Sequence, residues 1–189
     1  MSEVNGKHLE EVKTNIEESN EEKKNKIEKQ IIYYPHAEQI DLNSFSDDVE
    51  QIDLSLSRLT KIESFSKFKN LRSLCFRSNL LKTLVSENLN KENGLDKLKE
   101  IDFYDNQIEI IENLNQLDTL ETLDLSFNRF KKIENLEQLV NLRKIYFVHN
   151  QISKIENLST FVNLEVLELG DNQLRQIENI DTLVNLKEL

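Results

Sequence analysis

From Leu71 onward the apolar positions of this chain fall in a fixed frame. Leu120, Leu123, Leu125 and Phe130 form one set around Asn128. Leu142, Ile145, Phe147 and Ile152 form the next around Asn150, and Leu164, Leu167, Leu169 and Leu174 another around Asn172. Upstream come Leu98, Ile101, Phe103 and Ile108 around Asn106, and Leu71, Leu74, Phe76 and Leu81 around Asn79. A first, degenerate set is Val49, Ile52, Leu54 and Leu59, with Ser57 where the asparagine stands elsewhere. The frame reads L-x-x-L-x-L-x-x-N-x-L, and its x-L-x-L part alternates as a short strand does, apolar residues inward and variable ones outward. Copies return every 22 residues, from 57 to 79 and from 106 through 128 and 150 to 172. Between 79 and 106 the step is 27, so five extra residues lie within 85–94.

A period of this length with this frame is the leucine-rich-repeat signature. It predicts an α/β solenoid, a curved horseshoe with a parallel sheet on the concave side and short 3₁₀ or α turns on the convex side. One copy cannot bury its apolar face alone, so neighbours must stack, their strands ~4.8 Å apart. The repeats run near 49–70, 71–97, 98–119, 120–141, 142–163 and 164–185, with a partial copy at 186–189. The recurring asparagine has a structural reason. Where the chain turns out of a strand, backbone groups point inward without partners, and an orphan costs ~1–3 kcal/mol. A short side chain with two donors and an acceptor can satisfy its own turn and that of the next repeat. Asn79, Asn106, Asn128, Asn150 and Asn172 are therefore predicted to form a structural ladder. The second half of each copy reads "IENL" at 111–114, 133–136 and 155–158, ending in Ile at 177–180. Its Ile and Leu are expected inward, its Glu solvated, and Asn113, Asn135, Asn157 and Asn179 in the place of a cap on a short helical turn.

Residues 1–38 differ in composition. They are rich in Glu, Lys and Asn with sparse apolar residues, and read either as a solvated helix or as disordered chain. The repeat domain is set at 39–189, with "QIDLNSF" at 39–45 as a cap or a further degenerate strand. At the other end "LVNLKEL" begins a strand and supplies no capping unit, which reads as a fragment of a longer repeat protein. Only three glycines and one proline are present among 189 residues, so the turns must be built from other residues.

A formal net charge of −11 disfavours nucleic acid and anionic lipid as partners and favours a basic protein surface. No apolar stretch is long enough for a membrane span. A single cysteine, Cys75, fits a reducing compartment, the cytosol or nucleus. No phosphate-binding, dinucleotide, zinc or dithiol motif is present, and His8, His36 and His149 are scattered, so the reading is a non-enzymatic protein without a cofactor. What remains is the outward strand surface. Four residues before each asparagine stand Asp53, Cys75, Asp102, Asp124, Tyr146 and Glu168. Two before stand Ser55, Arg77, Tyr104, Ser126, Val148 and Gly170. One before stand Leu56, Ser78, Asp105, Phe127, His149 and Asp171. Acids outnumber bases, and Tyr104, Phe127 and Tyr146 are expected to cluster. Exposed aromatics ringed by charge have the composition of a protein-binding hot spot.

The stretches "LRSLCFRSNLLKTL", "LKEIDFYDNQIEIIENL", "LDLSFNRFKKIENL" and "NQISKIENLSTFVNLEVLELGDNQLRQIENIDTLVNL" resemble the leucine-rich-repeat regulatory subunits of type 1 protein phosphatase. The resemblance covers 49–189 and departs at the insertion within 85–94. It implies a curved solenoid that binds the phosphatase catalytic subunit along its concave face, in the nucleus and cytoplasm. Carried to matching positions, it points to Asp105 and Phe127 as partner contacts. Asp102, Asp124, Tyr146, His149, Glu168 and Asp171 join them from the columns alone. The alternatives are a generic repeat adaptor of cytoskeletal or ciliary type, and a structural module of a larger enzyme.

Overall fold

The computed structural model describes residues 31–33, 42, 46–84, 88–89, 92 and 94–189. Seven three-residue strands follow one another along the chain: β1 (Ile31–Tyr33), β2 (Gln51–Asp53), β3 (Ser73–Cys75), β4 (Glu100–Asp102), β5 (Thr122–Asp124), β6 (Lys144–Tyr146) and β7 (Val166–Glu168). They lie in the sheet in sequence order, every pair parallel. Their central residues are in register: Ile32, Ile52, Leu74, Ile101, Leu123, Ile145 and Leu167. A parallel bridge joins Val166 to Glu188. β1 lies inside the segment 1–38, so the sheet begins upstream of the boundary expected at 39. Its paired residues stand 20 before those of β2, a short step that the 22-residue frame does not detect. The remainder of that segment, and nearly all of 39–45, lie outside the described residues.

Alternation sets the core. The strand centres of β2 to β7 and the apolar residues that follow them, such as Leu125 and Phe147, are buried together with most of the Ile and Leu of the second half-repeats. Aromatic rings fill the early turns, where Phe76 and Phe103 stack 5.3 Å apart and Phe65 meets Phe76 edge-on at 5.9 Å. Ile177, expected inward, is 67% exposed. The convex side returns through single i→i+3 turns, for example Leu117 N–H to the Leu114 carbonyl and Leu139 N–H to that of Leu136. These are 3₁₀-type bonds, and no α-helix occurs among the described residues.

The ladder asparagines are mostly buried and bond as expected in kind, but toward the preceding repeat. Asn128 Nδ2 donates to the Phe103 carbonyl at 2.9 Å and to its own Leu125 carbonyl at 3.2 Å, while its Oδ1 accepts the Ile108 N–H at 3.0 Å. Asn79, Asn106, Asn150 and Asn172 repeat the pattern. The asparagines of "IENL" are not caps. Asn113, Asn135, Asn157 and Asn179 take φ of 58–61° and form a second ladder. Asn135, Asn157 and Asn179 donate at 2.7 Å to the carbonyls of Ile111, Ile133 and Ile155, and Asn113 donates to that of Leu84. Asparagine tolerates the left-handed region better than other non-glycine residues, so one residue type supplies both the bend and the bond. A third, exposed row carries Asn141, Asn163 and Asn185 onto the carbonyls of Asp118, Val140 and Val162. Three ladders of asparagine explain how the turns are made with so little glycine and proline.

The second ladder also locates the insertion. Asn88 donates to the Ile62 carbonyl 26 residues back, where the regular copies reach 24 back. Two of the five extra residues therefore precede Asn88, and the other three fall between Leu89 and Leu95. Gly94, just before Leu95, has φ +83°, and a Cβ there would lie 3.0 Å from the carbonyl oxygens of both Phe65 and Phe68.

Two stability outcomes follow. Asn128→Ala orphans the buried Ile108 N–H and leaves the Phe103 carbonyl with Asn106 as its remaining amide donor, and is expected to cost about 1–3 kcal/mol in urea unfolding; Asn115→Ala, exposed, is expected to stay within about 0.5 kcal/mol. Gly94→Ala, forced against two backbone oxygens at positive φ, is expected to cost about 1–3 kcal/mol in the same measurement.

Candidate partner-binding face

The residues just before the ladder positions, Ser57 and the five asparagines, all bend through the left-handed region: Leu56, Ser78, Asp105, Phe127, His149 and Asp171 have φ of 54–57°. None is glycine. This conformation costs a non-glycine residue about 1–2 kcal/mol, and neighbouring turns hold it in place. The Asp105 N–H donates to the Ser126 carbonyl at 3.0 Å, that of Phe127 to Val148 at 2.7 Å, and that of His149 to Gly170 at 2.9 Å. The sheet ladder thus continues past the strands, and the side chains of this column stand side by side at its exposed end.

Phe127, 36% exposed, is the centre of that row. Its ring centroid lies 4.7 Å from that of Tyr104 and 4.7 Å from that of His149, the latter ring nearly parallel at 18°. His149 Nδ1 contacts Asp171 Oδ2. At the other end the Arg77 guanidinium lies 4.1 Å from the Tyr104 ring centre. The expected cluster of Tyr104, Phe127 and Tyr146 forms only in part. Tyr104 and Phe127 meet, His149 takes the third place, and Tyr146 stays outside the ring stack, half-buried near Glu168. Burial first, then the nearby Glu168, Asp124 and Glu188 charges, raise its phenol above the ordinary range.

The predicted acids separate into two kinds. Asp102 and Asp124 are half-buried and hold their own turns, accepting the N–H of Tyr104 at 2.8 Å and of Ser126 at 2.9 Å. Asp53 does the same for Ser55 at 2.9 Å. Asp105, Glu168 and Asp171 are exposed and stand outward. Burial pushes the Asp124 carboxyl above its usual range, helped by the charge of Asp102 and opposed by the Ser126 hydrogen bonds and by Arg77. Arg77 was visible in the sequence only as a base among acids. It forks onto Asp102 through Nε at 3.1 Å and Nη2 at 2.9 Å and reaches Asp124 at 3.7 Å. Its position two before Asn79, beside Tyr104 two before Asn106, is the signal that could have revealed the stack. Cys75 is a half-buried thiol 3.2 Å from the Ser55 hydroxyl, and burial raises it to about 11, so it stays neutral.

Because the Asp124 pKa is raised in the folded chain, the folded state holds this proton more tightly than the unfolded one, and the ionised form costs stability above the carboxylate range. Asp124→Asn, whose amide oxygen can still accept the Ser126 N–H, is expected to raise the urea midpoint at pH 7. That difference is expected to close as pH falls below the carboxylate range.

Leucine Rich repeats (2 copies) is the family that matches this chain, in three overlapping spans at 96–139, 118–160 and 140–182. Among curated proteins, the Protein phosphatase 1 regulatory subunit SDS22 of Schizosaccharomyces pombe is 44% identical over 92 residues, 45% of this chain and 26% of that protein. The subunit of the same name from Saccharomyces cerevisiae is 40% identical over 72 residues, 36% of this chain and 20% of that protein. The chain therefore spans about a quarter or less of the length of these relatives. Among solved structures, internalin C2 of Listeria monocytogenes superposes with a TM-score of 0.65 at 25% identity, over 74% of this chain and 59% of that one. The functional domain of InlJ from the same organism gives 0.63 at 19% identity over 78% and 30%. The chain folds as a leucine-rich-repeat solenoid, matches that family over residues 96–182, and carries repeats similar to those of the regulatory subunits of protein phosphatase 1.

Proposed function

We propose that this chain is a non-catalytic regulatory module that binds the catalytic subunit of protein phosphatase 1 through the exposed face of its sheet, in the nucleus and cytoplasm. The observation that carries the reading is the 44% identity to a phosphatase regulatory subunit across the repeats. The physical character of the face supports it. Phe127 is exposed in a row of rings, outward acids stand on either side, and an acidic chain suits a basic partner. Asp105 and Asp171 bracket Phe127 and His149 in one column. Phe127 contributes apolar area, and the acids contribute steering and register. Asp102 and Asp124 act mainly by shaping the turns that present this row, while Tyr146 and Glu168 extend the face toward the last strand.

Calorimetric titration with the purified catalytic subunit tests this. The wild-type chain is expected to bind, and the Asp105→Lys, Phe127→Ala double variant to lose at least about 100-fold in affinity, as truncating two hot-spot residues does. Circular dichroism of both chains guards against misfolding. A folded wild-type chain that does not bind, or a double variant that binds equally well, would overturn the assignment of this face.

A further inference from the structure

Arg77 is out of place on a face that attracts a basic partner. Its positive charge weakens that attraction, yet it stands inside the row of the outward columns. Its geometry suggests another use. The guanidinium is planar. It forks onto Asp102, reaches Asp124, and covers the Tyr104 ring at 4.1 Å. Tyr104 in turn lies on Phe127 at 4.7 Å, Phe127 on His149 at 4.7 Å, and His149 contacts Asp171. Five side chains from five successive repeats thus make one continuous stack. Two ends are pinned by polar contacts, Arg77 by Asp102 and His149 by Asp171. Both neighbours of Phe127 are rings, His149 nearly parallel to it at 18° and Tyr104 tilted by 42°, so its side chain is confined from two sides. An exposed aromatic without such neighbours would sample several rotamers and lose that freedom on binding.

We propose that Arg77 is a positioning residue for the partner-binding row: it holds Tyr104 against Phe127 and so holds the Phe127 ring in one orientation before a partner arrives. It acts through Tyr104 and touches no partner. The inference rests on the reading that this face binds the phosphatase, but the ordering of Phe127 is a property of the free chain. The two interpretations of Arg77 predict opposite signs. If the residue matters only as a charge, removing it makes the face more acidic and tightens a basic partner. If it positions Tyr104, removing it weakens binding although the electrostatics improve. Lysine cannot substitute, because an ammonium lacks the fork and the flat face.

The experiment has two arms. In the first, ring-resolved NMR of the free chain, with phenylalanine ¹³C-labelled, follows the Phe127 ring in wild type, Arg77→Met and Arg77→Lys. Both variants are expected to move the Phe127 signals toward averaged values while the buried phenylalanines stay unchanged. A Phe127 ring as ordered in Arg77→Met as in wild type overturns the proposal, whatever the chain binds. In the second arm, the same variants are titrated with the phosphatase catalytic subunit. Arg77→Met and Arg77→Lys are each expected to bind about three- to tenfold more weakly, the scale of a lost cation–π and ring contact. In a Phe127→Ala background the loss is expected to vanish. Equal or tighter binding by Arg77→Met, or losses that simply add in the double variant, overturn it. A wild-type chain that fails to bind defeats the phosphatase reading alone, and the NMR arm still decides the role of Arg77.

Discussion

Each turn of this solenoid leaves its strand through a bend whose carbonyls face the interior, and the ladder asparagine is the group that meets them. Asn128 illustrates the dependence. Its amide nitrogen joins the Phe103 and Leu125 carbonyls and its oxygen takes the Ile108 N–H, so a single side chain closes its own turn and the one before it. The strands themselves are only three residues long and could not fix the register alone. Apolar columns supply the driving force for stacking, but burial is non-directional. It is the repeated backbone satisfaction by asparagine that holds each turn at one distance and one rotation from the next.

The exposed face inherits its order from that ladder. Because Asn106, Asn128, Asn150 and Asn172 are fixed, the residue before each is forced through positive φ, and four side chains of differing chemistry stand in line: Asp105, Phe127, His149 and Asp171. The strain is small per residue and is offset by the inter-repeat bonds that continue the sheet. Specificity can therefore vary at this column without altering the scaffold. The insertion after Leu84 shows the same separation. Its extra residues are divided around Asn88, and Leu89 and Leu95, both beyond Asn88, still reach the core.

Charge on this face does two jobs that composition alone does not distinguish. Asp53, Asp102 and Asp124 spend their oxygens on the N–H two residues ahead. Arg77 compensates the second and third of these. The outward acids are a smaller set, Asp105, Glu168 and Asp171. A face that looks uniformly acidic in sequence is in fact a compensated base under a thin acidic rim, with aromatic rings between.

Periodicity determined the solenoid, its parallel sheet, the core columns and the ladder, because a spacing that recurs every 22 residues can be satisfied only by stacking equivalent turns. It also placed Asp105, Phe127, His149 and Asp171 in one column, since equal offsets from the asparagine mean equal positions in the stack. It did not reveal that Asn113, Asn135, Asn157 and Asn179 bend through positive φ, because a cap and a left-handed ladder residue look alike in sequence. It missed β1, whose 20-residue step lies outside the frame. And it drew Tyr146 into the aromatic cluster in place of His149, because columns give position but not side-chain direction. Which rings touch, which acids turn inward and what Arg77 leans on depend on distances between repeats, and those exist only once the turns are stacked.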